Sequence, residues 1–252
     1  MISLGLIGFP LGHSFSASYF NNKFQREGIA GEYRLYPLES AENFPDFLSL
    51  HSGLCGLNVT IPHKESIMPF LDSLSEEAAA IGAVNVISIQ RDIQGNMRLT
   101  GHNTDWSAFR DSLAPLLGQE NRKALVLGTG GASKAVAYAL RSLDTDVTFV
   151  SRTPGNGIIG YEDLTADLIS GHKLIVNTTP VGMHPDTGSC PRLPYDALTP
   201  DHICYDLVYN PEITLFMKKS AERGAIVKNG LEMLHRQAES AWEIWKKDLG
   251  MS

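Results

Sequence analysis

The chain has 252 residues, 43% of them hydrophobic and 19% charged, and its formal net charge at pH 7 is −7. This size suits one large domain or two modest ones, the acidic balance argues against a general nucleic-acid binder, and no apolar run approaches the length of a membrane span. The cysteines, Cys55, Cys190 and Cys204, are too widely spaced for a disulfide framework or a metal site, so we expect a reducing cytoplasm.

The first sixty residues alternate between strand and helix patterns. Residues 2–7 predict a strand and lack the basic residues of a signal peptide. A helix is predicted to run to Glu27 and to end at Gly28, and a further helix at 41–50 separates predicted strands at 32–37 and 54–58. Because helices separate these strands, we expect a parallel α/β sheet.

Polar residues follow two of these strands. Ser14 and Ser16 lie at the start of the first helix, where they could cap it or hold a carboxylate. The third strand leads into Asn58-Val-Thr-Ile-Pro-His-Lys64, which offers an amide, a hydroxyl and an ammonium group. Ligands bind at the carboxyl ends of strands in open α/β sheets. Lys64 also stands at a predicted helix start, where the helix dipole disfavours a cation, and this hints at function.

The next stretch closes a first domain. A helix at 75–81 with Ser75 as its cap precedes a strand that starts near Asn85, and a turn at 93–96 predicts a hairpin with a strand at 97–101. Asp105 precedes a predicted helix at 106–117, where it could cap the helix or direct a carboxylate into a cleft. We place a domain boundary near 103–105.

A glycine loop organises the second half. A buried strand at 124–127 is followed by Gly128, Gly130 and Gly131, and then by a helix at 132–143. Strand, glycine turn and helix N-terminus together form a pyrophosphate site. The last position of the dinucleotide fingerprint is Ser133 where Gly or Ala is usual, so the match is imperfect.

The strand that follows, at 146–150, indicates which cofactor fits. An NAD-preferring fold places an acidic residue after this strand, but here Ser151 is followed by Arg152 and Thr153. A guanidinium can donate two parallel hydrogen bonds to a 2′-phosphate, so these residues favour NADP. Residues 154–157 supply no second basic residue, so the preference could be modest.

The rest of the chain continues the pattern to a long helix. Strands are predicted at 173–177, 203–208 and 225–227, with a helix at 212–223 and a final helix that opens at Gly230. The loop from Thr178 to Met183 could support a nicotinamide ring. Four histidines lie near these polar stretches without metal-ligand spacing and are read as ordinary loop residues: His13, His63, His102 and His184.

Together, in this order, these stretches resemble the shikimate dehydrogenase family over nearly the whole chain. The motifs are Ser14–Ser16, Asn58–Lys64, 82–85, 103–105, the glycine loop, 151–153, 177–183, Tyr209 before Asn-Pro, and 229–237. The resemblance implies a two-domain α/β enzyme that reduces 3-dehydroshikimate to shikimate with NADPH in aromatic amino-acid biosynthesis. It implies a substrate domain of residues 1–103, completed by a C-terminal helix at about 232–252, and a Rossmann-like, doubly wound NADP-binding domain of residues 104–231.

The resemblance also implies roles for individual residues. Lys64 and Asp105 would form the catalytic pair, and Ser14, Ser16 and Tyr209 would hold the substrate carboxylate. The remaining ring oxygens would be held by Asn58, Thr60, Asn85, Asp105 and Gln237. The cofactor contacts would be Gly128, Thr129, Gly130, Gly131, Ala132, Ser151, Arg152, Thr153, Asn177, Thr178, Met183, Leu207 and Gly230. The expected partner is this small substrate, with no metal, nucleic acid or membrane, in a monomer or homodimer.

Two alternatives remain. A quinate/shikimate dehydrogenase using NAD would need an acidic residue near Ser151, and often a change in the Ser14–Ser16 pair. A non-catalytic protein that binds shikimate or nucleotide could lose Lys64 or Asp105 without losing its fold, yet both are present.

Overall fold

A computed structural model describes residues 1–12, 14–118 and 123–251, so the predicted loop histidine His13 and the C-terminal residue Ser252 lie outside the described residues. The chain divides into two compact units. The first comprises Met1–Thr104 and Ala238–Ser252, and the second comprises Asp105–Gln237.

The first unit is built on a mixed sheet. Its strands are β1 (Ile2–Gly8), β2 (Gly31–Pro37), β3 (Gly56–Val59), β4 (Ser73–Leu74), β5 (Val86–Arg91) and β6 (Met97–His102). They lie in the order β2-β1-β3-β5-β6-β4. The parallel pairing predicted for the first three strands is confirmed, and β5 and β6 form the predicted antiparallel hairpin.

Short-range signals set the helices of this unit. The helices are α1 (Phe15–Glu27), α2 (Phe44–Leu50), α3 (His63–Ser66) and α4 (Glu76–Ile81). Gly28 ends α1 in the left-handed conformation, with φ of 67°, which glycine adopts without strain. The Ser75 hydroxyl accepts a hydrogen bond from the amide of Ala78, which confirms Ser75 as the cap of α4.

The last helix, α9 (Leu231–Asp248), supplies part of the core of the first unit. On one side of the sheet, Trp242 and Trp245 of α9 pack with Phe20 and Phe24 of α1. Trp245 donates a hydrogen bond to the Ile87 carbonyl over 3.1 Å. A Cβ atom at Gly56 would lie 2.2 Å from Trp245 Nε1, so the close packing requires glycine there. A separate cluster around Ile7, Leu57 and Phe44 also belongs to this unit.

The second unit carries a parallel sheet. Its strands are β7 (Lys123–Leu127), β8 (Asp146–Ser151), β9 (Ile159–Gly160), β10 (Leu174–Asn177), β11 (Ile203–Asp206) and β12 (Ile226–Lys228). In the order β12-β11-β10-β7-β8-β9, the chain adds strands on one side of β7 and then returns to add β10, β11 and β12 on the other side. This is the strand order of a doubly wound dinucleotide fold. The predicted Rossmann-like topology is therefore confirmed.

Helices contribute to two separate cores in the second unit. They are α5 (Asp105–Leu113), α6 (Gly131–Arg141), α7 (Ala166–Gly171), α8 (Leu215–Ala221) and the start of α9. Residues of α5, α6 and α9 share one core, which includes Phe109, Leu140 and Met233. Residues of α7 and α8 share the other, which includes Ile169 and Phe216.

The sequence interpretation missed the shortest elements. The strands β4 and β9 have two residues each, too few to show a period, and α7 buries only Ile169. The helix predicted at 212–223 is shorter, because Thr214 caps α8 at Leu215. The helix predicted at 106–117 ends at Leu113 and continues as a 3-10 turn.

Candidate functional site

In the first unit, predicted site residues follow two neighbouring parallel strands. Strands β1 and β3 pair with Ile7 opposite Val59, so their carboxyl ends meet at one edge of the sheet. From β1 the chain leads to Ser14 and Ser16, and from β3 it leads to Thr60 and Lys64. The topology thus brings the two polar segments to the edge where α/β sheets bind ligands.

The two serines differ in their environment at the start of α1. Ser14 occupies the N-cap position with extended backbone angles, φ −106° and ψ 130°, yet within the described residues its hydroxyl makes no capping hydrogen bond. Ser16 is buried in the first turn. Serine at this position usually caps the helix through its hydroxyl, but Ser14 does not do so here.

Asn58 is held on both sides of its amide. It is 5% exposed, its Nδ2 donates to the Asn85 carbonyl over 3.2 Å, and its Oδ1 accepts from the Tyr33 hydroxyl over 2.6 Å. These two contacts decide which way the amide points, because a carbonyl can only accept and a phenol here donates. Tyr33 is a site-supporting residue that sequence reasoning missed, since it reads only as a buried position of β2.

Asn85 lies immediately before β5 and binds the segment ahead of α5. Its Nδ2 donates to the Thr104 hydroxyl over 3.0 Å, and its Oδ1 accepts from the Thr104 amide over 2.7 Å. Nearby, Asn103 Nδ2 donates to the Ala83 carbonyl over 2.9 Å. Each of these three buried amides thus has at least one backbone partner, as buried polar groups require.

Lys64 lies in the first turn of the four-residue helix α3 and is half-buried. Its carbonyl accepts from the Val84 amide over 2.7 Å, which ties α3 to the segment before β5. The preceding residue, His63, is 2% exposed and its Nε2 is hydrogen-bonded to the Leu38 carbonyl. The predicted helix start at Lys64 is confirmed.

In the second unit, the glycine loop follows β7 and opens α6. Gly128 has φ of 114°, and a Cβ atom there would lie 2.7 Å from Thr178 Oγ1. A Cβ atom at Gly130 would meet nothing within 4 Å, so the backbone there is open to a ligand. Ser133, the imperfect position of the fingerprint, is buried and its hydroxyl shares a 2.6 Å hydrogen bond with Thr178 Oγ1. At the position where the fingerprint has a small residue for close packing, the chain thus has a serine that is hydrogen-bonded to Thr178.

The segment after β8 is exposed. Ser151 ends the strand and its hydroxyl accepts from the Thr153 amide over 3.2 Å, while Arg152 and Thr153 face solvent. The Arg152 guanidinium acts on Tyr161: burial raises the pKa of this phenol, and the positive charge opposes that rise.

A buried carboxylate joins the ends of β10 and β11. Asp206 Oδ1 accepts from Asn177 Nδ2 over 2.9 Å and from the Val208 amide over 3.0 Å, and Oδ2 accepts from the Thr214 hydroxyl over 2.6 Å. Asn177 Oδ1 in turn accepts from the Thr179 hydroxyl over 2.6 Å. Burial raises the pKa of Asp206 to about 6, although the three donors oppose this. Asp206 is a second residue that sequence reasoning missed.

Leu207 and Gly230 come into direct contact. A Cβ atom at Gly230 would lie 2.1 Å from the Leu207 carbonyl oxygen, so only glycine permits this approach. The Leu207 amide donates to the Asn177 carbonyl over 2.9 Å, which places Leu207 beside the buried carboxylate network.

Four further predicted site residues lie on different segments of the second unit. Asp105 begins α5 and is buried, and Gln237 of α9 donates to the Leu234 carbonyl over 2.9 Å. Tyr209 is half-buried, and burial raises its pKa. Met183 is 44% exposed in the loop after β10.

Two features of the described chain bear on other classes of protein. Across residues 1–12, 14–118 and 123–251, three or more His, Cys, Asp or Glu side chains do not gather in a way that could hold a metal ion. In the same ranges, every helix is too short or too polar to cross a membrane.

Comparison with known proteins places this chain. Residues 6–87 match the family model for the shikimate dehydrogenase substrate binding domain. The NADP(+) shikimate dehydrogenase of Desulforamulus reducens is 35% identical over 274 residues, which cover 96% of this chain and 88% of that protein.

Solved structures agree with this placement. Shikimate 5-dehydrogenase from Thermus thermophilus, in complex with NADP(H) and shikimate, matches with a TM-score of 0.84 at 32% identity, covering 98% of this chain and 94% of that one. Quinate dehydrogenase from Corynebacterium glutamicum, in complex with NAD, matches with a TM-score of 0.82 at 28% identity, covering 98% and 94%. The chain belongs to the shikimate dehydrogenase family.

Proposed function

We propose that this protein is an NADP-dependent shikimate dehydrogenase, which interconverts 3-dehydroshikimate and shikimate in aromatic amino-acid biosynthesis. The observation that carries the proposal is the retention of the polar segments beyond β1 and β3 together with the glycine loop beyond β7. Relatives named for this activity or solved with NADP(H) and shikimate support it, and the chain covers 88% and 94% of the two compared above. We assign the substrate to the first unit and the dinucleotide to the second.

The second unit fits a dinucleotide on its own evidence. The left-handed Gly128 and the open space at Gly130 leave room for phosphate oxygens at the N-terminus of α6, where free amides and the helix dipole favour anions. The exposed Arg152, in a stretch from 151 to 157 that contains no acidic residue, fits a 2′-phosphate and so favours NADP over NAD. When bound, the nicotinamide cofactor supplies or accepts the hydride.

We assign Lys64 as the general acid in the reductive direction. Negative charge builds on the ketone oxygen during reduction, and an ammonium group can stabilise that charge and then donate a proton to the oxygen. The neutral amine regains its proton from solvent. In the oxidative direction the amine accepts the hydroxyl proton. We assign Asp105 the part of keeping Lys64 charged and oriented, since a nearby carboxylate favours the ammonium form.

Substrate recognition in this proposal divides between a carboxylate end and a hydroxyl end. Ser14 and Ser16, aided by Tyr209, hold the carboxylate. The Ser14 hydroxyl makes no capping hydrogen bond within the described residues, which supports its role in binding the carboxylate. Asn58, Thr60, Asn85 and Gln237 face the ring oxygens. A polyol needs such a set, because each buried hydroxyl must find a partner.

An initial-rate matrix tests the proposal directly. Purified protein at catalytic concentration is assayed with shikimate and quinate, each against NADP and NAD. We expect the highest kcat/KM for shikimate with NADP, and weak turnover of quinate, because quinate carries an extra hydroxyl on a tetrahedral carbon next to its carboxylate. Equal or better turnover of quinate with NAD would favour the second candidate, which the resemblance to a quinate dehydrogenase keeps in view. Absence of turnover in all four combinations would leave a binding protein.

We further propose a cytoplasmic enzyme that is a monomer or a homodimer. The described cysteines are all free thiols, and burial raises the pKa of Cys204 to about 12, which keeps it in the unreactive thiol form. Light scattering of the purified protein would decide between one and two chains.

A further inference from the structure

A buried phenol holds a predicted substrate contact in the first unit. The Tyr33 hydroxyl donates to Asn58 Oδ1 over 2.6 Å. Asn58 Nδ2 in turn donates to the Asn85 carbonyl over 3.2 Å. The hydroxyl therefore begins a buried series of hydrogen bonds that reaches two residues proposed for the hydroxyl end of the substrate.

The Tyr33 side chain has little freedom to move. It is 3% exposed, and its ring stacks on Phe20 with centroids 4.8 Å apart and planes inclined by 12°. The Asn21 amide clamps its backbone: Oδ1 accepts from the Tyr33 amide and Nδ2 donates to its carbonyl, both over 2.9 Å. A side chain held by stacking, burial and backbone clamping can set the position of its neighbours.

Loss of the hydroxyl would free the Asn58 side chain. Asn58 is buried, so without the Tyr33 hydroxyl its Oδ1 would lack the partner that now fixes its orientation.

We propose, on the basis of the shikimate dehydrogenase function proposed above, that Tyr33 is a positioning residue. Through its hydroxyl it fixes the Asn58 amide in the orientation that a ring oxygen of the substrate requires. Tyr33 touches neither the substrate nor the cofactor in this proposal, and it acts on the KM for shikimate.

The test is Tyr33→Phe, which removes one oxygen and keeps the stacked ring. We expect the KM for shikimate to rise about tenfold, as for loss of one buried hydrogen bond, while kcat and the KM for NADP change by less than about threefold. The matched control is Tyr205→Phe. Tyr205 is also fully buried, and its hydroxyl shares a 2.8 Å hydrogen bond with Ser112, so a general loss of stability would appear there too. An unchanged KM for shikimate in Tyr33→Phe, or an equal rise in both variants, would overturn the proposal.

A second experiment, in a protein that already carries Asn58→Ala, distinguishes an effect through Asn58 from a general effect on packing. In an Asn58→Ala protein, Tyr33→Phe should raise the KM for shikimate by less than about twofold further, since the group it positions is gone. A full tenfold rise in that background would count against the mechanism.

The link can also be tested without turnover. Tyr33 and Asn58 are the two partners of one hydrogen bond, so Tyr33→Phe and Asn58→Ala should lower the urea midpoint of the ligand-free protein non-additively. Strict additivity would overturn the link. Failure of Tyr33→Phe to fold while Tyr205→Phe folds would also overturn the proposal, because the hydroxyl would then be needed for folding and not for positioning. If the parent protein fails to oxidise shikimate with NADP, the proposed function is wrong, while the urea measurement still decides whether the hydroxyl holds Asn58.

Discussion

The buried carboxylate of Asp206 makes the stability of the second unit depend on pH in an unusual direction. Burial raises its pKa from 3.8 in the unfolded chain to about 6 in the folded protein. Between these values the unfolded chain has released the proton and the folded protein has kept it, so stability falls as pH rises. The contribution is fully present below about pH 3.8 and is lost as pH rises through about 6. Asp206→Asn removes this dependence, because an amide does not ionise.

The size of the effect follows from the shift. About two pKa units correspond to roughly 3 kcal/mol, and about 2 kcal/mol of this lies between about pH 4.5 and about pH 7.5. The stability of the parent chain, minus that of Asp206→Asn, should therefore fall by about 2 kcal/mol across that interval. Asp206→Asn also loses an acceptor for Asn177, Val208 or Thr214, which adds a constant loss of about 1–3 kcal/mol.

Urea denaturation at several pH values, followed by circular dichroism, measures both quantities. Subtracting the variant from the parent removes the other ionising groups that both chains share. A difference that stays constant with pH would refute the reasoning, because it would mean that Asp206 ionises normally in the folded protein. A difference that grows with pH would mean that the three donors outweigh burial.

The other predictions concern the cofactor, the chemistry and the packing of the first unit. Arg152→Ala should raise the KM for NADP about tenfold to a hundredfold and leave NAD nearly unchanged, as loss of a charge-assisted hydrogen bond would do; steady-state kinetics with both cofactors check this, and an equal loss with both would exclude a 2′-phosphate contact. Lys64→Ala should lower kcat by about 10² to 10⁴ and change the KM for shikimate by less than about tenfold, and a variant with parental kcat would leave the reaction without its acid. Gly56→Ala should destabilise the protein by about 1–3 kcal/mol in urea denaturation, because its Cβ would lie 2.2 Å from Trp245 Nε1. The control is Gly53→Ala, whose Cβ would meet nothing within 4 Å, and a similar loss in both variants would contradict the packing argument.

Local signals predicted most of the fold. The cap at Ser75, the stop at Gly28 and the strand before Gly128 each act within a few residues, and each is where the sequence placed it. The parallel order of the strands followed from the helices between them. The edges of elements shifted where a cap such as Thr214 outweighed the apolar pattern.

The support of the candidate site could not be predicted in the same way. Tyr33 meets Asn58 across 25 residues of sequence, and Asn177 meets Asp206 across 29. The residues next to Tyr33 in β2 and next to Asp206 at the end of β11 do not indicate these distant partners. Asn177 and Asp206 face each other on the neighbouring strands β10 and β11, whereas Tyr33 and Asn58 lie on β2 and β3, the two strands that flank β1. Both contacts depend on strand register, which only the folded sheet supplies.

The discontinuous first unit has a consequence for synthesis on the ribosome. Residues 1–104 emerge long before Ala238, yet their core includes Trp242 and Trp245 packed with Phe20 and Phe24. Because translation proceeds from the N-terminus, these phenylalanines remain open to water while the whole second unit, Asp105–Gln237, is being made. We expect the second unit to fold first and the nascent first unit to need chaperone protection until α9 has emerged.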